Sequence, residues 1–286
     1  MSDLSYGVLL KAATSRLVQA LGDDGTRNTE ARLLLQHASG FDRAGLLVRD
    51  ADIADASVID AYQTMIAQRE AGKPVFRIIG GREFHGLNLQ LSSETLEPRD
   101  DTEALVDGVL SMIKDRTASV RFADLGTGSG AIALALLSEL PNASCVASDV
   151  SQDALKTAQR NAVLCGFGDR FEPVHGSWFE PLCGKFDFLV SNPPYIPSRT
   201  VDSLDREVLA HDPRAALDGG EDGLDAYRVL LRDGAAFVDN GGFLAVEIGY
   251  DQRESVPLLG LEHGWTLALA LQDLGERERA LVFTRP

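Results

Sequence analysis

The sequence has few cysteines, a deficit of basic residues and no long apolar run. Its three cysteines, Cys145, Cys165 and Cys183, lack the close paired spacing of zinc or redox motifs, and no two of the five histidines form a ligand pair. We therefore expect reduced cysteines that pack as small core residues, and no metal site. No apolar run approaches the length of a membrane span, and the N-terminus lacks the basic and apolar segments of a signal peptide. These absences predict a cytoplasmic protein.

The deficit of basic residues is confined to one part of the chain. Acidic residues outnumber Lys and Arg by 43 to 27; residues 1–80 are nearly neutral, whereas residues 81–286 carry a net charge of −15. Binding to nucleic-acid phosphates requires clustered Lys and Arg. The charge distribution therefore favours a protein substrate, with no direct nucleic-acid partner and no membrane partner.

Residues 1–73 predict a small helical bundle, because apolar residues recur there at helical spacing. Helices are expected over residues 3–21, from a cap at Thr29 to Gly40, around 46–48 and over 57–70. We expect this separate, nearly neutral unit to recognise the substrate.

Residues 74–97 predict a β-hairpin that links the bundle to the rest of the chain. Its strands are expected at Val75–Ile79 and Glu83–Leu91, on either side of Gly80 and Gly81. The two strands are expected to bridge the bundle and the following domain.

Residues 98–286 predict an α/β domain. Asp100 and Glu103 have the spacing of a capping box, which predicts a helix that continues from Ala104. Strands then alternate with helices, as in a doubly wound, mostly parallel sheet. The irregular residues 196–221 are long enough to predict a lid or a loop that shapes the substrate site.

A glycine-rich turn follows the first strand of this domain. The strand ends at Leu125, a helix begins after the turn, and the turn consists of Gly126, Thr127, Gly128, Ser129 and Gly130. Glycines between a strand and a helix are typical of a site where a nucleotide-like ligand approaches bare backbone.

Two further residues fit an adenosine-containing ligand. Asp149 lies at the carboxyl end of the second strand, where its carboxylate can accept hydrogen bonds from both ribose hydroxyls. Trp178 lies in the loop after the third strand, where it could stack on an adenine or simply pack as a half-buried tryptophan. The glycines and Asp149 fit a nicotinamide dehydrogenase as well as a methyltransferase.

The most specific stretch is the turn after the apolar strand Phe186–Ser191. It consists of Asn192, Pro193, Pro194 and Tyr195. Prolines lack an N–H, so the turn offers two acceptors, the side-chain oxygen of Asn192 and the carbonyl of Pro193, and almost no backbone donors. Two acceptors in a rigid frame suit an NH2 group on a planar system, and Tyr195 adds a flat wall. A dehydrogenase would leave this turn without a purpose.

Taken together, these motifs resemble the release factor glutamine N5-methyltransferases. The similarity also includes Pro98, Arg99, Thr102 and Glu103, the run from Asp218 to Leu224, and Glu247, Ile248 and Gly249. It extends over nearly the whole chain. One segment departs from the family: His211, Asp212, Pro213 and Arg214 stand where the family usually has Glu-Pro before Ala-Leu.

The resemblance implies a fold, a cofactor and a set of roles. The fold is a seven-stranded, mostly parallel sheet of the class I S-adenosylmethionine-dependent methyltransferases. Gly126, Gly128 and Gly130, with Thr127 and Ser129, would approach the methionine part of S-adenosylmethionine. Asp149 would hold its ribose, Trp178 would lie by its adenine, and Asn192 would also border the cofactor.

The same resemblance implies the reaction. Asn192, Pro193, Pro194 and Tyr195 would bind the glutamine of the Gly-Gly-Gln loop of class 1 peptide release factors, with Asn192, Pro193 and Tyr195 as the catalytic residues. The enzyme is expected to act as a monomer and to form S-adenosylhomocysteine. A glutamine methyltransferase of a ribosomal protein, and an N6-adenine or N2-guanine methyltransferase of nucleic acid, remain alternatives, because their targets are also NH2 groups.

Overall fold

A computed structural model describes residues 4–285. They form two compact units, the first ending at Gly80 and the second beginning at Gly81. The helical unit therefore extends past residue 73, the boundary expected from the sequence. The reason is a further short helix that follows Pro74.

The first unit is a bundle of helices. These are α1 (Tyr6–Leu21), α2 (Arg27–Ser39), α3 (Arg43–Val48), α4 (Ala56–Glu70) and α5 (Val75–Ile79). Leu17, Leu34, Tyr62 and Ile66 are almost completely buried in its core. The hydroxyl of Tyr62 donates to the carbonyl of Ala31 on α2, so even this buried polar group has a partner.

Two predictions for this unit are wrong in detail. Thr29 does not cap α2 but lies inside it, because Arg27 starts the helix and binds the carbonyl of Gly22 and the carboxylate of Asp24. Val75–Ile79 is a helix instead of a hairpin strand. An apolar run of this length fits either structure; here Pro74 precedes the first helical turn, and Gly80 ends it in a left-handed conformation.

The hairpin is present, but it begins later than expected. Strands β1 (Gly81–Phe84) and β2 (Leu87–Gln90) pair antiparallel in the second unit. The turn between them is His85-Gly86, where both residues have positive φ. That is the backbone of the two-residue turns that suit the twist of a hairpin.

The main sheet has seven strands within the described residues, in the order β5-β4-β3-β6-β7-β9-β8. The strands are β3 (Arg121–Leu125), β4 (Ser144–Asp149), β5 (Phe171–His175), β6 (Phe186–Ser191), β7 (Val238–Glu247), β8 (Thr266–Gln272) and β9 (Glu278–Thr284). Strands β3 to β7 run parallel, and β9 is antiparallel to both β7 and β8. The predicted mostly parallel sheet is confirmed.

Helices cover both faces of this sheet, as a doubly wound fold requires. They are α6 (Glu103–Met112), α7 (Ala131–Glu139), α8 (Gln152–Leu164), α11 (Asp225–Asp233) and α12 (Ser255–Glu262). Two shorter helices, α9 (Ser198–Val201) and α10 (Arg206–His211), lie in the loop after β6. One core lies between the sheet and α6, α7 and α8, and includes the stacked rings of Phe122, Phe188 and Phe243. The other lies against α11 and α12 and includes Trp265.

The structure corrects two expectations at the ends of these helices. Asp100 and Glu103 do not form a capping box: Asp100 accepts from Arg82, Glu103 accepts from the backbone N–H of His85, and a 3-10 turn precedes α6. The loop 196–221 is not wholly irregular, since it contains α9 and α10. Between residues 4 and 285, no helix has the length and apolar character needed to cross a membrane.

Candidate active site

A cavity lies at the carboxyl ends of β3, β4 and β6, in the second unit. The strand order reverses at β3, because β4 lies on one side of it and β6 on the other. Ligands of open α/β sheets bind at such a reversal. The wall includes many of the predicted residues, namely Gly126, Thr127, Gly128, Ser129, Asp149, Trp178, Asn192 and Pro194. Gly130, Pro193 and Tyr195 are not part of this lining.

The glycine turn forms the floor of the cavity. The N–H groups of Gly126 and Thr127 both donate to the carbonyl of Ser148, which holds the turn against β4. Gly126 and Gly128 have positive φ, so side chains there would strain the backbone. Gly130 also has a positive φ, and a methyl group at this position would in addition lie 3.2 Å from the Cβ of Ala158 on α8.

Asp149 is fixed by the backbone on both sides. Its Oδ2 accepts from the N–H of Gly128 at 2.9 Å, and its Oδ1 accepts from the N–H of Ser151 at 2.8 Å. Each carboxylate oxygen has a further lone pair available to a ligand. The carboxylate therefore faces the cavity in one fixed orientation, as a ribose diol would require.

Trp178 has a positive φ of 46°, which is uncommon for a bulky residue. Its carbonyl accepts from the hydroxyl of Ser148 at 3.1 Å, and its ring lies next to Gly126. The ring is half-buried and forms part of the cavity wall, so it is accessible to a planar ligand.

The turn after β6 presents one oriented amide to the cavity. The side-chain nitrogen of Asn192 donates to the hydroxyl oxygen of Thr102 at 3.3 Å. In this orientation the Oδ1 of Asn192 is left as the acceptor end of the amide. Pro193 is buried, whereas Pro194 lies in the wall. Thr102 also lines the cavity, and through this hydrogen bond it supports Asn192 directly.

Tyr195 lies with its ring against the core on the α11 side of the sheet. Its hydroxyl donates to Oε1 of Glu247 at 3.4 Å.

Burial raises the pKa of Glu247 to about 7, although the Thr102 hydroxyl and the charges of Arg279 and Arg99 lower it. Sequence analysis gave Glu247 no role beyond its place in a motif. A charged residue directly after the apolar run 243–246 was the available signal.

Gln252 is the second residue that sequence analysis missed. Its side-chain nitrogen donates to the carbonyls of Tyr195 and Gly223, at 3.1 and 3.0 Å. Its oxygen accepts from the N–H of Gly249 and from the hydroxyl of Tyr227. One buried amide therefore joins the turn after β6 to two other loops.

The run from Asp218 to Leu224 lies directly against the same turn. The N–H of Gly219 donates to the carbonyl of Ile196, and the N–H of Ile196 donates to the carbonyl of Leu217. A side chain on Gly219 would come within 2.8 Å of the Pro194 carbonyl oxygen, so only glycine allows this approach.

Asn161, on α8, supports the glycine turn from the other side. Its side-chain nitrogen donates to the carbonyl of Ser129 at 2.9 Å and to that of Gln90 at 3.0 Å. The N–H of Gln90 donates to its oxygen. A polar residue on the buried face of α8 was the signal in the sequence.

Comparison with known proteins identifies the family. Residues 9–80 match the family model of the PrmC N-terminal domain, and residues 102–224 match that of the methyltransferase small domain. The release factor glutamine methyltransferase of Agrobacterium fabrum is 46% identical, over 99% of this chain and 98% of the relative. The chain belongs to the release factor glutamine methyltransferase family.

A second relative agrees with this assignment, and a solved structure agrees with the fold. The release factor glutamine methyltransferase of Bradyrhizobium diazoefficiens is 43% identical over 91% of this chain and 89% of the relative. Among solved structures, a methyltransferase from Pyrococcus furiosus is similar at a TM-score of 0.52 and 17% identity, covering 77% of this chain and 96% of that one. This last likeness concerns the fold alone.

The rim of this methyltransferase's cavity contains the segment that departs from the family pattern. The carboxylate of Asp212 lies 3.7 Å from the guanidinium of Arg99, and Pro213 lines the cavity beside them. The departure thus still supplies an acidic group before a proline. Both Arg99 and this segment border the opening.

The floor of the site also contains a buried acid. Asp124, at the end of β3, accepts from the Thr127 hydroxyl at 2.7 Å, while its Oδ1 has no hydrogen-bond partner within the described part of the chain. Burial raises its pKa to about 7; the Thr127 hydroxyl lowers it and the nearby charge of Asp149 raises it. No group of three or more His, Cys, Asp or Glu in residues 4–285 has the arrangement of a metal site.

Proposed function

We propose that this enzyme methylates the side-chain nitrogen of the glutamine in the Gly-Gly-Gln loop of class 1 peptide release factors. The observation that supports it best is the orientation of Asn192. Its nitrogen is occupied by Thr102, so its oxygen is the end that can accept a hydrogen from an incoming NH2 group. The adjacent carbonyl of Pro193 would accept the second hydrogen.

S-adenosylmethionine is the proposed methyl donor, and the residues of the cavity fit it. Asp149 holds a fixed carboxylate for the ribose hydroxyls, and Trp178 offers a ring to the adenine. The backbone of Gly126 and Gly128 is free of side chains, which lets the rest of the molecule approach closely. When bound, it supplies an electrophilic methyl group on a sulfonium.

The residues of the turn position the substrate nitrogen. An amide nitrogen is a poor nucleophile, because its lone pair is delocalised into the carbonyl. Asn192 and Pro193 would hold both N–H groups and fix the direction in which the nitrogen faces, which favours some pyramidalisation. Positioning of this kind contributes a large part of many rate enhancements. The alkylated nitrogen is strongly acidic and releases its proton to water, so no dedicated base is required.

The first unit is the proposed docking surface for the release factor. Its third helix ends in two adjacent apolar side chains that face solvent, Leu47 and Val48, which are 78% and 83% exposed. Replacement of both by Asp should raise KM for the intact release factor at least tenfold. It should leave methylation of a short Gly-Gly-Gln peptide unchanged. Equal effects on protein and peptide would contradict the docking role.

The direct test combines labelled S-adenosylmethionine, purified release factor and mass spectrometry of the Gly-Gly-Gln peptide. Asn192→Ala should lower the rate of methyl transfer at least 100-fold, because the acceptor that positions the nitrogen is lost. Its cofactor affinity should stay within about tenfold, or about 1.4 kcal/mol. Asp149→Ala should instead mainly weaken the binding of the cofactor.

Three outcomes would contradict the proposal. Full activity in Asn192→Ala would exclude the mechanism. Label on a ribosomal protein or on nucleic acid would identify one of the alternative substrates. Equilibrium binding of NADH in place of S-adenosylmethionine would indicate a dehydrogenase.

A further inference from the structure

Trp178 has a left-handed backbone that its place in the chain does not explain. Three non-glycine residues in the described part of the chain have positive φ. His85 and Glu276 lie between antiparallel strands, in turns that favour this conformation. Trp178 lies instead in the crossover from β5 to β6. A bulky residue is strained in this conformation and keeps it only where its surroundings hold it.

Two consecutive residues of β4 hold the loop that contains Trp178. The N–H of Gly176 donates to the carbonyl of Asp149 at 3.1 Å, and the hydroxyl of Ser148 donates to the carbonyl of Trp178 at 3.1 Å. Within residues 4–285, the bond from Ser148 is the one hydrogen bond that Trp178 makes. Ser148 is completely buried, so its hydroxyl has a fixed position from which to hold the strained residue.

Ser148 also holds the glycine turn. Its backbone carbonyl accepts from the N–H of Gly126 at 2.9 Å and from that of Thr127 at 3.0 Å. The ring of Trp178 lies against this turn, because a methyl group on Gly126 would be 3.8 Å from the Cζ3 atom of the ring. Ser148 therefore connects two parts of the cavity wall, through its carbonyl and its hydroxyl, and directly precedes Asp149.

We propose that Ser148 is a positioning residue, whose hydroxyl holds the Trp178 ring against the glycine turn in the place where the adenine of S-adenosylmethionine binds. This inference rests on the proposed function, in which Trp178 faces the adenine. Without the hydroxyl, the strained backbone of Trp178 can relax and the ring is no longer fixed. Binding of the cofactor then has to order the ring, and this cost lowers the affinity.

The first test is Ser148→Ala, which removes the hydroxyl and keeps the carbonyl that holds the glycine turn. The Kd of S-adenosylmethionine, measured by calorimetry, should rise about three- to tenfold, the effect of one lost hydrogen bond. The kcat at saturating cofactor and the thermal unfolding temperature should stay close to those of the wild type. Ser144→Ala, at the exposed first position of β4, is the matched control and should bind like the wild type.

Ser148→Cys provides a second variant at the same position. A thiol is close in size to the hydroxyl and is a weaker donor. The Kd of S-adenosylmethionine should therefore rise by a smaller factor than in Ser148→Ala.

The fluorescence of Trp178 reports on the ring directly. The chain has two tryptophans, so Trp265→Phe leaves Trp178 as the single emitter. Adding Ser148→Ala to this variant should lower the fluorescence anisotropy of the ligand-free protein and increase quenching by acrylamide, because the ring gains freedom. A role of Ser148 in the packing of β4 alone would change neither quantity.

A double variant shows whether Ser148 acts through the ring. Trp178→Gly removes the ring and accepts the left-handed backbone without strain. In this background Ser148→Ala should leave the Kd of S-adenosylmethionine unchanged, because the two residues act as one unit. An equal rise in Kd with and without the ring would mean that Ser148 acts through the glycine turn, and would overturn the inference.

The remaining outcomes separate the two proposals. Failure of the wild type to bind S-adenosylmethionine would overturn the proposed function and this inference together. Binding by the wild type, with the same Kd in Ser148→Ala as in Ser144→Ala, would overturn the inference alone. Unchanged anisotropy and quenching of Trp178 would do the same.

Discussion

The side-chain nitrogen of Gln252 donates a hydrogen bond to the carbonyl oxygen of Tyr195 at 3.1 Å, across 57 positions of sequence. This contact ties the loop after β7 to the turn that is proposed to bind the substrate. Because the carbonyl lies immediately after the two prolines, any movement of Gln252 is transmitted to a rigid segment. The position of the proposed substrate site therefore depends on a residue outside the cavity.

Replacement of Gln252 by Leu should weaken both the fold and the reaction. It leaves the carbonyls of Tyr195 and Gly223 without this donor, and each buried group without a partner costs about 1–3 kcal/mol. We expect the free energy of unfolding to fall by about 2–4 kcal/mol and kcat to fall at least tenfold. Chemical denaturation and methyl-transfer assays measure the two effects.

The control for this prediction is Gln152→Leu, at the exposed first position of α8. Its free energy of unfolding should change by less than about 0.5 kcal/mol. If Gln252→Leu proves as stable and as active as this control, Gln252 does not hold the turn.

Gly223→Ala should disturb the same turn by a steric route. Gly223 has a φ of +78°, and a side chain there would collide with the Tyr195 carbonyl oxygen. Gly166 offers a matched control, because its φ is +81° and the space around its Cα is open. Both variants should lose about 1–2 kcal/mol of stability from the left-handed backbone. Only Gly223→Ala should also lose at least tenfold in kcat, and similar rates in the two variants would refute the collision argument.

Cofactor binding should change the fluorescence of one tryptophan. Trp178 lies in the cavity wall, whereas Trp265 is buried and donates to the carbonyl of Leu231. Titration with S-adenosylmethionine should therefore alter the emission of the wild type and of Trp265→Phe, but not that of Trp178→Phe. The Kd of Trp178→Phe, measured by calorimetry, should rise severalfold as stacking area is lost. A signal that survives in Trp178→Phe would place the adenine elsewhere.

The stability of the ligand-free enzyme should fall as the pH rises from 5 to 8. Burial raises the pKa of Asp124 from 3.8 to about 7, so the folded state binds this proton more tightly than the unfolded state does. The resulting stabilisation is complete below pH 4 and is lost as the pH passes 7. The loss between pH 5 and 8 amounts to about 2–3 kcal/mol. Glu247 contributes in the same direction.

Asp124→Asn removes this group and should flatten the dependence. Relative to the wild type, the variant should gain about 2–3 kcal/mol in free energy of unfolding between pH 5 and 8. Asp153→Asn, at an exposed position of α8, should follow the wild-type curve. Parallel curves for the wild type and Asp124→Asn would show that Asp124 does not take up the proton.

The sequence was sufficient to predict the strands that are marked by strong local patterns. The strand before Gly126, the strand that ends at Asp149 and the strand before Asn192 are each short apolar runs that stop at a turn residue, and the structure confirms all three. These features depend on residues that are adjacent in the chain.

The residues that sequence analysis missed act over long separations. Gln252 reaches Tyr195, Glu247 reaches the same residue, and Asn161 reaches Gln90 only because the sheet brings distant loops together. Val75–Ile79 is a helix where the sequence predicts a strand, because a run of five residues, four of them apolar, is too short to distinguish the two periods. The position of the Tyr195 ring also differs from the prediction. The sequence predicts the ring as a wall of the pocket, whereas in the structure it packs against the core.

Strand β9 follows β8 along the chain but lies between β7 and β8 in the sheet. A translation product that stops before Glu278 would contain every residue of the cavity wall and still lack the strand that joins β7 to β8. The exposed edge of β7 would then be free to pair with other chains. Nonsense mutations near the end of the gene should therefore yield insoluble protein, even though they leave each active-site codon intact.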